Sequence, residues 1–173
     1  NSILEARVRE LESLLNFPQA KIGESTGNIA LVSSQAPAAP YGTVLVSFSK
    51  GTDVSAGMKA IAYGGVYIGD VFEVGKETAV IKLISFPELE TEGWLERLAL
   101  NVTIRGQGGQ NMKFSLPKSI EVNLGDKVIS NTNPQYLIGE IEVIEDATGE
   151  PLQEIILRLP LNFKNLRYVE LVH

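Results

Sequence analysis

The chain has 173 residues, 44% hydrophobic and 21% charged, with a formal net charge of -6 and no cysteine. That length buries a substantial core as one large or two small domains, and the composition is that of a folded globular protein. An acidic chain without clustered Lys and Arg argues against nucleic-acid binding, and the lack of cysteine removes disulfides, thiol catalysis and zinc-thiolate sites while leaving the compartment open.

Residues 3–16 carry the one amphipathic helical pattern. Leu4, Val8, Leu11 and Leu15 recur at spacings of four, three and four, the a/d seam of a coiled coil, and Pro18 ends the pattern. Two heptads are marginal in water, so the pattern reads as the end of a longer coil and as a dimer interface. Packing of this helix on its own domain is the blander alternative. The chain begins at Asn1 inside this pattern and reads as a fragment of something longer, with room for a signal or membrane anchor upstream. No stretch approaches the about 20 apolar residues of a membrane span.

Residues 18–42 read as a linker holding one short strand, Ile29 to Val32, and a Pro- and Ala-rich spacer, Gln35 to Pro40. From Thr43 onward the pattern is strand and turn. Val44, Val46 and Phe48 share one face of the first strand. Strands follow at 59–62, 66–74 and 79–84. Residues 86–97, with Pro87, several acids and Trp94, read as a loop or short helical turn between two halves. Further strands fit 98–105, 112–116, 127–130, 136–144, 153–159 and 166–172. Crossover helices for a parallel sheet are absent from the pattern.

One motif occurs twice. Gly57-Met58-Lys59-Ala60-Ile61, a Gly64-Gly65 turn and Ile68-Gly69-Asp70-Val71 form the first copy. Gly125-Asp126-Lys127-Val128-Ile129, an Asn133-Pro134 turn and Ile138-Gly139-Glu140-Ile141 form the second. An internal repeat of turn, strand, turn, strand suggests two related small β-domains. Gly69 and Gly139 sit in mid-strand, where glycine is costly unless a bend, bulge or close backbone approach needs it. Gly57, Gly69, Gly125 and Gly139 are therefore read as structural glycines of two barrels bent at the same corner.

Catalytic constellations are scarce. The single histidine is His173 at the C-terminus, so His-based triads and common zinc sites have no basis. Glu88, Glu90, Glu92 and Glu96 around Trp94 could form a glycosidase-like carboxylate pair, but a solvated acidic loop is the simpler reading. Gly106-Gln107-Gly108-Gly109 lacks the Lys-Ser/Thr and the following helix of a phosphate loop and reads as a flexible hairpin tip. Asn101-Val102-Thr103 matches a glycosylation sequon inside an expected strand. No cofactor or metal is expected.

The order of heptad helix, spacer and two repeated β-halves resembles the MreC family of rod-shape-determining proteins over nearly all of the chain. The segments that resemble the family's first barrel are Gly57-Met58-Lys59-Ala60, Ile68-Gly69-Asp70-Val71 and Val80-Ile81-Lys82-Leu83-Ile84. Those resembling its second are Gly125-Asp126-Lys127-Val128 and Ile138-Gly139-Glu140-Ile141. Ile129-Ser130-Asn131 and Asn133-Pro134-Gln135-Tyr136 depart from the family's usual turn, as in a divergent member.

The resemblance implies an all-β fold, two small tandem six-stranded-type β-barrels preceded by an N-terminal coiled-coil helix. The implied division is 1–17 coiled coil, 18–42 linker, 43–97 first barrel and 98–173 second barrel, with the last strands free to return to the first. It also implies a non-catalytic scaffold for the bacterial cell-wall elongation machinery that maintains cell shape. Such a scaffold would be anchored in the inner membrane by a helix upstream of Asn1, with this part in the periplasm or extracytoplasmic space. The implied partners are a second copy or higher self-assembly, a class B penicillin-binding transpeptidase and other rod-complex members, with no nucleic acid. The alternatives are a periplasmic adaptor of an efflux or secretion system, disfavoured by the single helix, and a carboxylate hydrolase using the 88–96 segment.

Overall fold

The computed structural model describes residues 5–6, 27–34, 42–162 and 165–173. The seam positions Leu4, Val8, Leu11 and Leu15 lie outside the described residues. Apart from residues 5–6, which are helical, the described part is built on β-strands. Its strands are β1 (Gly27–Ser34), β2 (Thr43–Ser47), β3 (Lys59–Ala62), β4 (Val66–Val74), β5 (Thr78–Leu83) and β6 (Glu90–Leu95), then β7 (Leu100–Gly108), β8 (Asn111–Pro117), β9 (Lys127–Ser130), β10 (Leu137–Glu145), β11 (Leu152–Arg158) and β12 (Tyr168–Val172).

Strand pairing runs β4-β3-β12-β1-β2-β5 and returns to β4 through the β4–β5 ladder, which closes a six-stranded barrel without free edges. The remaining strands pair in the order β10-β9-β6-β7-β8-β11, and a β10–β11 ladder completes that circuit as well. The chain leaves the first ring after β5, makes the whole second circuit, and comes back with β12. There β12 lies antiparallel between β1 and β3. The short strand expected within the linker is thus a wall of the first ring, because β1 hydrogen-bonds to both β12 and β2.

Period-two alternation builds the interior. Val44, Val46, Ala79 and Ile81 point inward on β2 and β5, while Leu45 and Val80, opposite each other, point outward. Val102, Ile104, Met112, Phe114, Ile155 and Leu157 fill the second ring and are at most 5% exposed. Buried residues of both rings belong to one continuous core.

The expected loop at 86–97 contains β6. Its inward positions are Thr91, Gly93 and Leu95, so aliphatic alternation is hidden by a threonine and a glycine. Gly93 is required there, since a Cβ would lie 2.9 Å from both Ile104 Cδ1 and Val128 Cγ1. The Gly106–Gly109 segment is also not a free hairpin tip. Gly108 N–H donates to Ser85 O at 2.7 Å, and Ser85 Oγ donates to Gly109 O at 2.7 Å. The connector between the rings therefore binds this turn, and Gly106 has no room for a Cβ beside the Phe86 carbonyl, 2.0 Å away.

The two copies of the motif superimpose in their hydrogen bonds. Gly57 N–H donates to Val71 O and Val71 N–H donates to Met58 O. In the second copy Gly125 N–H donates to Ile141 O and Ile141 N–H to Asp126 O. Each second strand is bulged twice, at Ile68 and Phe72 in β4 and at Ile138 and Glu142 in β10. Gly69 and Gly139 follow the first bulge. A Cβ at Gly69 would lie 2.3 Å from Lys82 O, and one at Gly139 would lie 2.9 Å from Arg158 O. The equivalent strands also join the rings, as Leu137 pairs in parallel with Val66 and its N–H donates to Gly65 O at 2.9 Å.

These distances give a graded expectation. Gly69→Ala forces the β5 backbone away and should cost about 1–3 kcal/mol or more, the range for overpacking. Gly139→Ala, with its looser approach, should cost less. Urea denaturation of both variants checks the order, and equal midpoints would refute the close-approach explanation.

Candidate partner-binding surface

Each copy of the motif begins with a tight turn whose closing group differs. In the second, Asp126 Oδ2 accepts from Asn123 N–H at 2.9 Å. In the first, Met58 Sδ occupies the matching place, 3.2 Å from Ser55 N–H. Sulfur is a weak acceptor, so Met58 contributes mainly by burial at 1% exposure, and the carboxylate contributes a charge-assisted bond. Arg97 also reaches Asp126, with Nε at 3.0 and 3.1 Å and Nη2 at 2.9 Å, and donates to Glu121 O. The hydrogen bonds from Arg97 hold the Asp126 carboxyl below the usual carboxylate range, against a smaller desolvation effect in the other direction.

The departing turn of the second copy is closed by side chains. Tyr136 N–H donates to Ser130 Oγ at 2.8 Å, Ser130 N–H donates to Tyr136 O at 2.7 Å, and Thr132 Oγ1 donates to Pro134 O. Ser130 is 2% exposed. The Asn133-Pro134 bond is cis.

The carboxylates considered for catalysis stand apart from any enclosed site. Glu90 pairs with Arg105 at 3.0 Å, Glu88 with the same guanidinium at 3.6 Å, and Glu92 accepts from Thr103 Oγ1 at 2.9 Å. Glu88, Glu90, Glu92 and Glu96 are all exposed, and Trp94 lies half-buried on the outer side of β6. His173 is exposed. Asn101 is exposed on β7, where it accepts from Asn131 Nδ2 at 3.2 Å. Among the described residues no group of His, Asp and Glu is arranged for a metal ion. An open groove of about 660 Å³ beside β10 and β11 is lined by Glu140, Glu142, Arg158, Leu159 and Pro160.

The outer surfaces of the rings differ in character. The second carries a ladder of ion pairs: Arg158–Glu142 at 3.3 Å, Lys113–Glu154 at 3.9 Å and Arg105–Glu90 at 3.0 Å. The first presents Phe72 and Leu31, exposed by 55% and 58%, with half-buried Leu45 and Val80 nearby, and the second also exposes Val143 and Leu152, by 39% and 48%. Lys82 Nζ stands 5.1 Å from the centre of the Phe72 ring and 4.4 Å from that of Phe86. Beside it, Tyr67 donates to Asp70 Oδ1 at 2.5 Å, and burial with that bond pushes the phenol upward.

Together these features define an all-β protein built around a closed six-stranded barrel. The chain belongs to the MreC family: the model for "Rod shape-determining protein MreC, barrel core" matches residues 32–173. No curated protein matches the chain significantly. Solved structures share the fold. One MreC has a TM-score of 0.79 at 21% identity, over all of both chains. MreC from Pseudomonas aeruginosa has a TM-score of 0.74 at 18% identity, covering 86% of this chain and 100% of that one. MreC in a complex with the penicillin-binding protein PBP2 from Helicobacter pylori has a TM-score of 0.59 at 14% identity, covering 85% and 98%.

The Arg97–Asp126 contact makes a pH-dependent prediction. A carboxyl whose folded pKa is depressed adds stability that is present above its unfolded value, about 3.9, and is lost as pH falls through the lower folded value. Wild type should therefore exceed Asp126→Asn in thermal midpoint at pH 6, with the gap narrowing below about pH 4. A gap independent of pH between 6 and 2 would refute the ion pair's role.

Proposed function

We propose that the chain is a non-catalytic scaffold of the bacterial cell envelope, which helps to maintain cell shape by positioning the cell-wall elongation machinery. Membership of the MreC family, matched over residues 32–173, carries this reading. The two closed circuits of strand pairing support its finer form, two tandem barrels with the last strand returned to the first. The assignment of 1–17, 18–42, 43–97 and 98–173 to coil, linker, first barrel and second barrel belongs to the same proposal. It needs one amendment, because β1, within 18–42, is a strand of the first ring; the return of β12 is already allowed.

In this reading a helix upstream of Asn1 anchors the chain in the inner membrane, and the barrels lie in the periplasm or an equivalent space. A coil seam at Leu4, Val8, Leu11 and Leu15 pairs two copies. The barrels contact a class B penicillin-binding transpeptidase and other members of the rod complex. The complex of the Helicobacter pylori relative with PBP2 supports the first of these partners. Mechanism here is geometric. Burial of seam and barrel surfaces sets the distance and orientation of partners, and no covalent bond is made or broken.

Depletion of the protein in its own bacterium should turn rod-shaped cells round, as seen by phase-contrast microscopy. Unchanged cell shape on full depletion would overturn the scaffold reading. Leu11→Lys with Leu15→Lys should weaken self-association by about tenfold or more, since the double change places charge in an apolar seam. Sedimentation that gives the same mass distribution for wild type and variant would dismiss the coil.

A further inference from the structure

The internal repeat permits a comparison of equivalent positions within one molecule. Asp70 lies opposite Lys82 across β4 and β5, and Glu140 lies opposite Arg158 across β10 and β11. The second bulge of each long strand then brings Phe72 beside Lys82 in the first ring and Glu142 beside Arg158 in the second. The same backbone therefore displays a cation in both rings. In the second the cation is neutralised by its neighbour, at 3.3 Å. In the first the neighbour is an aromatic ring, and none of the ion pairs among the described residues includes Lys82.

Neighbouring positions are exchanged too, in both senses: Glu73, opposite Val80, corresponds to exposed Val143, opposite Ile156. Lys113 of β8 lies opposite Ile156, and Leu45 of β2 lies opposite Val80, so a charged position of the second ring is apolar in the first. Phe86 closes the other side of Lys82, held over Gly42, whose lack of a Cβ makes room for the ring. The carboxylates near the patch are Asp70, which accepts from Tyr67, and exposed Glu73 opposite Val80. An exposed aromatic and a cation aligned on an aromatic, set among aliphatic side chains, is the composition of interface hot spots.

We infer that the outward face of β4, β5 and β2, centred on Phe72, Lys82 and Leu45, docks a protein partner. The docking segment presents apolar side chains and one carboxylate aimed at Lys82. Charge complementarity selects that chemistry: the patch offers a cation without a salt-bridge partner, so an acidic-apolar surface gains both burial and an ion pair there. The inference rests on the scaffold reading, in which this occupant is the penicillin-binding transpeptidase. At the equivalent position of the second ring Glu142 already pairs with Arg158, so no cation is offered there.

The probe is the purified extracytoplasmic portion of that transpeptidase from the same bacterium, titrated against the chain by biolayer interferometry. Phe72→Glu transplants the second ring's pattern and gives Lys82 an internal partner. It should weaken binding roughly tenfold or more, as hot-spot changes do. Lys82→Gln should weaken it less and reduce its dependence on salt. Arg158→Gln in the second ring should leave binding unchanged. Phe72→Ser serves in place of Phe72→Glu if circular dichroism shows that the latter misfolds. Wild-type affinity in the Phe72 variants overturns this docking face alone. Absence of binding by wild type overturns the transpeptidase as partner and this face with it. Loss of self-association in sedimentation with transpeptidase binding intact makes a second copy the occupant, and overturns the inference as stated.

Discussion

The contact on which the rest of the structure depends is the crossing of β4 over β5 at Gly69. A barrel of six strands closes only if its long strands bend sharply, and here a bulge at Ile68 followed by a residue without a side chain provides the bend. The Lys82 carbonyl occupies the space that a Cβ at Gly69 would need. Closure in turn removes free edges, lets Ile68, Val71 and Ile81 become fully enclosed, and fixes which residues of β4 and β5 face outward. The patch around Phe72 exists because the strand that carries it has been bent and bulged.

The second ring repeats this solution around Gly139 with different side chains. Conserving the backbone geometry while exchanging the groups that satisfy it is visible at two places. Met58 and Asp126 stand at the same turn, one buried and one bound by Arg97. Phe72 and Glu142 stand at the same bulge, one exposed and aromatic, the other paired with Arg158. Geometry is shared because it closes a barrel. Surface chemistry differs because outward side chains are not constrained by closure, so the two outer faces of a repeated fold can carry different groups. Such an arrangement suits a protein of a family described as rod shape-determining.

The coupling between the rings is largely backbone. β4 and β10 meet through Gly65 and Leu137, and the connector at Ser85 to Leu89 is bonded to Gly106, Gly108 and Gly109 of β7 and its turn. Glycines at 106, 108 and 109 let two chain segments approach to hydrogen-bond distance. A glycine-rich run that offers no phosphate chemistry thus has a mechanical use, joining the two rings through short, directional bonds.

Local pattern by itself determined β2, β5, β7, β8 and β11, whose inward positions are mostly apolar, the exceptions being Gly106 and Gly108 of β7 and Gln153 of β11. It also determined the repeat and its glycines, because a mid-strand glycine is a local cost that points to a local bend. It did not reveal β6, whose inward positions hold Thr91 and Gly93; Gly93 is dictated by Ile104 and Val128, which belong to other strands. Nor did it place β1 in the first ring, since register pairs such as Ile29 and Glu170 join residues separated by nearly the whole chain. The candidate surface was hidden for the same reason. Phe72, Lys82, Leu45 and Phe86 read as ordinary members of separate segments, and only closure of the barrel sets them on one face.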